Sequence, residues 1–290
     1  MDELTGPLVS TDALAAALAD PATNVQIVDG SWRLDKSNGP AVDGFIGAHL
    51  PGAVFFDLDA VSDQTSDLPH MLPTPAAFAE AVAALGLSPD VPTIVYDEAG
   101  LFSAARVWWT FKAMGWRDVA VLDGGLPKWR TEGRPLESGA STTKSAPQAT
   151  SPHEAPFRVA AAKDVLRAIA TGDAKIIDAR PAPRFQGSAP EPRAGLRSGA
   201  MPSAVNIPFA ALLSGDGRLK PAAQLAEIFD AAGVAGDDAV IASCGSGVTA
   251  AIIILALAVL GREKHALYDG SFAEWGDASA AERFPVVTAL

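Results

Sequence analysis

One cysteine, Cys244, stands in the 290 residues. An internal disulfide is therefore impossible, and a cysteine-rich zinc site is excluded. Basic residues are scarce as well: 22 Lys and Arg against 34 Asp and Glu give a formal charge of −12. No basic run offsets that balance, so the chain is a poor candidate for binding a phosphate backbone. Long hydrophobic runs are missing. The longest, Ala250–Leu260, falls well short of the roughly 20 residues that a membrane-spanning helix needs, and it reads as a buried helix. Met1–Leu8 carries Asp2 and Glu3 and lacks a basic stretch leading into an apolar one, so no targeting segment is expected. A cytoplasmic protein without nucleic-acid or membrane partners is the expectation.

What is present is a large potential core. Hydrophobic residues make up 49% of the chain and charged residues 19%, which excludes wholesale disorder. The length fits two domains of about 130–150 residues each. Between them, Pro135–Pro156 holds four prolines, many Ser, Thr and Ala, no aromatic residue and one large aliphatic, Leu136. Such a segment cannot build a core and reads as a linker. Its flanks repeat each other. Val28-Asp29 matches Ile177-Asp178, and Leu50-Pro51-Gly52-Ala53-Val54 matches Met201-Pro202-Ser203-Ala204-Val205. Further on, Thr93–Asp97 matches Val240–Cys244, and Leu122-Asp123-Gly124 with Trp129 matches Tyr268-Asp269-Gly270 with Trp275. The same order at nearly one offset points to a tandem duplication. The expected division is a first domain over 1–134, a linker over 135–156 and a second domain over 157–290.

Within each copy, short apolar strands alternate with helical patterns at Ala76–Leu85, Ala104–Met114, Ala160–Ala170 and Ala222–Ala232. Pro75 and Pro221 sit at helix starts. The alternation predicts an α/β fold: two tandem domains, each a mostly parallel sheet with helices on both faces. Ligands of such folds sit at the C-terminal ends of strands. Asp97 and Cys244 occupy that place in their respective copies.

The segment Val240–Ala250 runs a strand into Cys244, then a glycine-containing loop (Gly245, Ser246, Gly247), then an apolar helix from about Val248. A loop closed by a helix N-terminus gathers backbone N–H groups that stabilise an anion. Here that anion is a thiolate, the form a nucleophilic cysteine needs. The competing reading is a buried structural cysteine, against which stand the two glycines beside it. Three other chemistries lack their residues. A cysteine phosphatase needs Arg six positions after the cysteine, where Ala250 stands. A serine hydrolase needs a G-x-S-x-G elbow around Ser246, and a P-loop needs Lys-Ser/Thr where Val248-Thr249 stand.

The loop CGSGVTA from Cys244 resembles that of the two-domain rhodanese-like sulfurtransferases, and most of all the 3-mercaptopyruvate type. The likeness extends to VDGSWRL near Val28, HLPGAVFFDLD from His49, HMLP at His70 and GLFSAARVWW from Gly100. It continues through LDGGLPKW from Leu122, IIDARPAPRFQG from Ile176 and VNIPF from Val205. The resemblance implies a non-catalytic first domain, with Asp97 at the cysteine position, and a catalytic second one. It implies that Cys244 takes sulfur as a persulfide and passes it to a thiol, thioredoxin or cyanide, with no metal or organic cofactor. Arg184 and Arg193 match the family's substrate-binding arginines; Gly245, Gly247, Val248 and Thr249 complete the substrate-binding loop. Ser246, His70 and Asp59 match a set that polarises the ketone and handles protons, with Asp57 an alternative to Asp59. Thiosulfate enzymes of the family carry basic residues where Gly245 and Ser246 stand, which favours 3-mercaptopyruvate as donor and leaves a thiosulfate:cyanide sulfurtransferase as the alternative. A non-catalytic binding module, the remaining rival, would be expected to lose Cys244. A monomer is expected. The sequence departs from the family at Ser203, where a turn glycine is usual, and at Ala251, where some relatives carry a second cysteine. With no second cysteine in the chain, a persulfide on Cys244 must be discharged to an external acceptor.

Overall fold

A computed structural model of the chain describes residues 4, 6–141 and 158–288. They divide into two compact units. In the first, strands β1 (Leu8–Val9), β2 (Gln26–Asp29), β3 (Ala53–Phe55), β4 (Thr93–Tyr96) and β5 (Val119–Leu122) form one sheet. Its order is β1-β5-β4-β2-β3, with every pairing parallel. The second unit repeats the plan with β6 (Arg158–Ala160), β7 (Lys175–Asp178), β8 (Val205–Asn206), β9 (Val240–Ser243) and β10 (His265–Tyr268). The order is β6-β10-β9-β7-β8, again all parallel. Helices flank both sheets, as the alternation of patterns predicts. The expected helices lie at Pro75–Ala84, Ala104–Ala113, Ala162–Thr171 and Ala222–Ala231. The third starts later than its pattern suggests, because β6 takes Arg158–Ala160 into the sheet.

Central strands β4 and β9 are buried along their whole length, as near-continuous apolar runs in parallel sheets should be. Helix Ala250–Val259 is buried from Ala250 through Leu257, which accounts for its lack of a polar face. Each unit has its own core, one around Ile94, Tyr96, Leu122 and Trp129, the other around Ile241, Tyr268, Phe272 and Trp275. The two tryptophans are used alike. Trp129 donates its indole N–H to Pro135 O at 2.8 Å, and Trp275 donates to Pro285 O at 2.7 Å.

The expected linker begins as packed chain. Glu137 bridges His49 antiparallel and Gly139 N donates to Ile46 O, so residues 135–141 are fastened to the first unit. Residues 142–156 lie outside the described residues. Neither unit is contiguous in sequence. The first takes in Leu213–Leu219 from the second repeat, and the second takes in Thr65–Met71 from the first repeat.

Ser203 adopts the left-handed backbone that a glycine would favour, at φ 59°, matching Gly52 at φ 71° in the other repeat. The turn therefore keeps its shape without the glycine, at a cost of about 1 kcal/mol in backbone strain.

The repeats differ in how they handle the aspartate that ends β2 and β7. In the second unit, Arg180 donates to both oxygens of Asp178. In the first, Ser31 stands at the matching place, and Asp29 is 1% exposed with no arginine in that role. Burial pushes the Asp29 carboxyl up to about 6; hydrogen bonds from Ser31 and Tyr96 oppose this and the nearby Asp97 adds to it. A carboxyl raised in the folded state costs stability above its folded pKa and is relieved below its unfolded one. Asp29→Asn should therefore stabilise the protein at pH 7.5, by up to about 3 kcal/mol, and this gain should vanish as the pH falls toward 4. Thermal unfolding at both pH values checks this; equal melting temperatures for variant and parent at pH 7.5 would refute it.

Candidate active site

Cys244 follows the last residue of central strand β9 and is 2% exposed. The loop after it runs to helix Ala250–Val259, and Gly247 takes φ 76°, a conformation that glycine adopts freely. The loop is fixed from below. Cys244 N donates to Ser271 Oγ at 3.3 Å. Phe272 N donates to Cys244 O at 2.9 Å and Ala273 N to Gly245 O at 2.8 Å. The first turn of helix Ser271–Trp275 thus claims two loop carbonyls. Ser271 reaches this place in a left-handed backbone, at φ 48°, and its hydroxyl also donates to Tyr268 O at 2.8 Å.

The first unit shows what such a loop holds. Asp97, at the cysteine position, folds its own carboxylate into the ring of amides. Its Oδ2 accepts from Phe102 N at 2.7 Å and from Ser103 N and Ala104 N at 2.8 Å. Oδ1 accepts from Ala99 N at 2.9 Å. Aligning the helices that begin at Ala104 and Ala250 makes Val248, Thr249 and Ala250 the matching amides. One repeat fills its amide cradle with a carboxylate, and the other carries a cysteine at the matching position. The sequence identified Asp97 as the counterpart of Cys244, but not this bonding.

His70 meets Ser246 within the second unit. His70 Nδ1 and Ser246 Oγ share a hydrogen bond of 3.1 Å, with His70 5% and Ser246 6% exposed. His70 lies on the Thr65–Met71 segment that joins this unit, and takes φ 61°. Asp59 and Asp57 belong to the first unit. Asp59 accepts from Trp32 Nε1 and Lys36 Nζ, both at 2.9 Å. Asp57 is occupied as a helix cap, accepting from Asp59 N and Ala60 N. Of the two, Asp59 has its carboxylate turned to other side chains.

Arg184 lies in the last turn of the short helix Ala182–Phe185 that follows β7. Its side chain is 18% exposed, so it is not a solvated surface arginine. Both arginines converge on the loop: a Cβ placed on Gly245 would lie 3.0 Å from Arg184 Nη2 and 4.0 Å from Arg193 Nη1. A side chain at position 245 would therefore reach the Arg184 guanidinium, so this place in the loop lies directly beside the two arginines. Behind Arg184 stands a buried ionic chain. Arg184 donates through Nε and Nη2 to Glu191. Glu191 also accepts from Arg180 Nη1 at 2.7 Å, and Arg180 holds Asp178. Arg180 packs its guanidinium 3.6 Å above the Phe272 ring. Glu191, Arg180 and Ser271 are site residues that sequence reasoning missed.

The rhodanese-like domain model matches residues 10–132 and 161–278. The chain belongs to the rhodanese-like sulfurtransferases. It is 44% identical over 270 residues to the 3-mercaptopyruvate sulfurtransferase of Escherichia coli K12, covering 92% of this chain and 94% of that one. The crystal structure of SseA from Escherichia coli, described as a 3-mercaptopyruvate sulfotransferase of rhodanese fold, superposes with a TM-score of 0.83. That match has 41% identity over 92% of this chain and 99% of SseA. An Arabidopsis thaliana mitochondrial thiosulfate/3-mercaptopyruvate sulfurtransferase is 40% identical over 299 residues, covering 93% of this chain and 76% of that one. Among the described residues, no helix is long and apolar enough to cross a membrane.

Proposed function

We propose that this sulfurtransferase takes sulfur from 3-mercaptopyruvate through a persulfide on Cys244 and releases pyruvate. The observation that carries this reading is the convergence of Arg184 and Arg193 on Gly245, beside the cysteine loop. A planar carboxylate is what a guanidinium binds best, through paired hydrogen bonds, and 3-mercaptopyruvate offers one where thiosulfate does not. In the first half-reaction the Cys244 thiolate attacks the donor sulfur. The new S–S bond forms as the C–S bond breaks, and the electron pair leaves on carbon as the enolate of pyruvate. Ser246 and His70, hydrogen-bonded to each other, polarise the keto oxygen and deliver the proton that completes pyruvate. The persulfide anion rests among the loop amides of Gly245, Gly247, Val248 and Thr249, of which Val248 and Thr249 match two that hold the Asp97 carboxylate in the first unit.

In the second half-reaction a nucleophile attacks the outer sulfur and restores the Cys244 thiolate. A thiol such as that of thioredoxin becomes a persulfide, and cyanide becomes thiocyanate. The second domain, 157–290 with the Thr65–Met71 segment, carries the chemistry; the first, 1–134, is non-catalytic. The protein works as a cytoplasmic monomer. Thiosulfate is the alternative donor, in keeping with the double name of the Arabidopsis relative. Steady-state kinetics with both donors and cyanide as acceptor decides between them. A higher kcat/KM for 3-mercaptopyruvate is expected, and the reverse order overturns the donor assignment.

A further inference from the structure

We infer that Glu191 is a positioning residue for the donor carboxylate: it clamps one edge of Arg184 so that the guanidinium presents its other edge to the cysteine loop. This rests on the reading of Arg184 as the group that binds that carboxylate. The Glu191 side chain is 1% exposed, so its charge is compensated by protein rather than by water. Its Oε1 accepts from Arg180 Nη1 at 2.7 Å and from Arg184 Nε at 3.1 Å. Its Oε2 accepts from Arg184 Nη2. Both oxygens are thereby used by two arginines.

Arg180 is itself immobilised. Its side chain is 1% exposed and donates to both oxygens of Asp178 and to Gly199 O at 2.8 Å. Its guanidinium carbon lies 3.6 Å from the ring centre of Phe272, a residue of the short helix that pins the carbonyls of Cys244 and Gly245. The chain Asp178–Arg180–Glu191–Arg184 thus alternates in sign from the sheet outward, and its last member approaches the loop at Gly245. Because Glu191 takes the Nε–Nη2 edge of Arg184, the Nη1–Nη2 end is the edge left for a ligand, and Nη2 lies nearest Gly245. A free arginine samples many rotamers, and ordering it at each binding event weakens affinity. A clamp that has already ordered it removes that cost.

The test is a double-mutant cycle on the full-length enzyme with 3-mercaptopyruvate as donor. E191Q keeps the shape, removes the charge and turns an amide N–H toward the guanidinium. The expected result is a KM raised about tenfold with kcat within about twofold, and a further rise of less than about twofold when E191Q is added to R184A. The rate of Cys244 alkylation by iodoacetamide should stay unchanged, since the bonds that hold the loop, Cys244 N to Ser271 and Phe272 N and Ala273 N to the loop carbonyls, do not involve Glu191. Should E191Q fail to fold, E191D keeps the charge but cannot span both arginines, and the same shift in KM is expected from it. An unchanged KM in the folded variants, or the same factor in the R184A background as in the parent, overturns the role of Glu191. If R184A itself leaves KM unchanged, the reading of Arg184 fails, and the clamp fails with it.

Discussion

Cys244→Ala should abolish sulfur transfer from every donor, with a loss of roughly a thousandfold or more, the size expected when a covalent nucleophile is removed. No other residue can take over, because the chain holds no second thiol. The substitution removes one sulfur atom from a site whose backbone is held elsewhere. Cys244 N rests on Ser271 and Cys244 O on Phe272 N, and neither bond involves the side chain. The variant should therefore fold, with a melting temperature close to that of the parent. Pyruvate release from 3-mercaptopyruvate and thiocyanate formation with cyanide are the readouts. Mass spectrometry of the parent treated with donor alone should show one added sulfur atom, and the variant none. A folded variant that retains transfer would remove the persulfide mechanism entirely.

Arg184→Ala should lower kcat/KM for 3-mercaptopyruvate by roughly 100-fold to 1000-fold, about 3–4 kcal/mol. Two effects combine. The carboxylate loses its charged, planar partner, and Glu191 loses one of the two arginines that offset its buried charge. Removing one member of a buried ionic group leaves the remainder undercompensated, so a drop in melting temperature should accompany the kinetic loss. Thiosulfate provides the control. Its sulfonate is tetrahedral and fits the planar fork less well, so its kcat/KM should fall by less than about tenfold. Equal losses with both donors would mean that Arg184 supports the site as a whole and does not select the carboxylate.

The duplication, the strand ends and the cysteine loop were legible because each is written in local residue types. Glycines at 245 and 247, the apolar run after them and a cysteine between strand and helix need no distant partner to be recognised. Arg184 and Arg193 were legible from their motif alone, since a polar, proline-containing segment such as Arg184–Arg193 reads equally well as solvated loop. That is also why Glu191 was overlooked. A glutamate between two prolines carries no sign of burial, and its role is fixed by Arg180, which reaches it from the end of β7. Ser271 was hidden for a different reason. Its left-handed backbone places a hydroxyl where a glycine would offer nothing, and backbone dihedrals are not written in composition. Packing also decides which unit a loop joins, so the assignment of His70 to the second unit could not be read from its position in the first repeat.

The segments Thr65–Met71 and Leu213–Leu219 occupy the same place in the two repeats, and each belongs structurally to the repeat that does not encode it. This makes the duplication a ratchet. Before any such trade, either half of the gene could be lost and the other would still specify a whole fold. Once a histidine encoded in the first half bonds a serine encoded in the second, deleting the half without the cysteine removes part of the site. The first repeat, which carries Asp97 where the second carries its thiol, then keeps its place in the gene through the histidine it encodes.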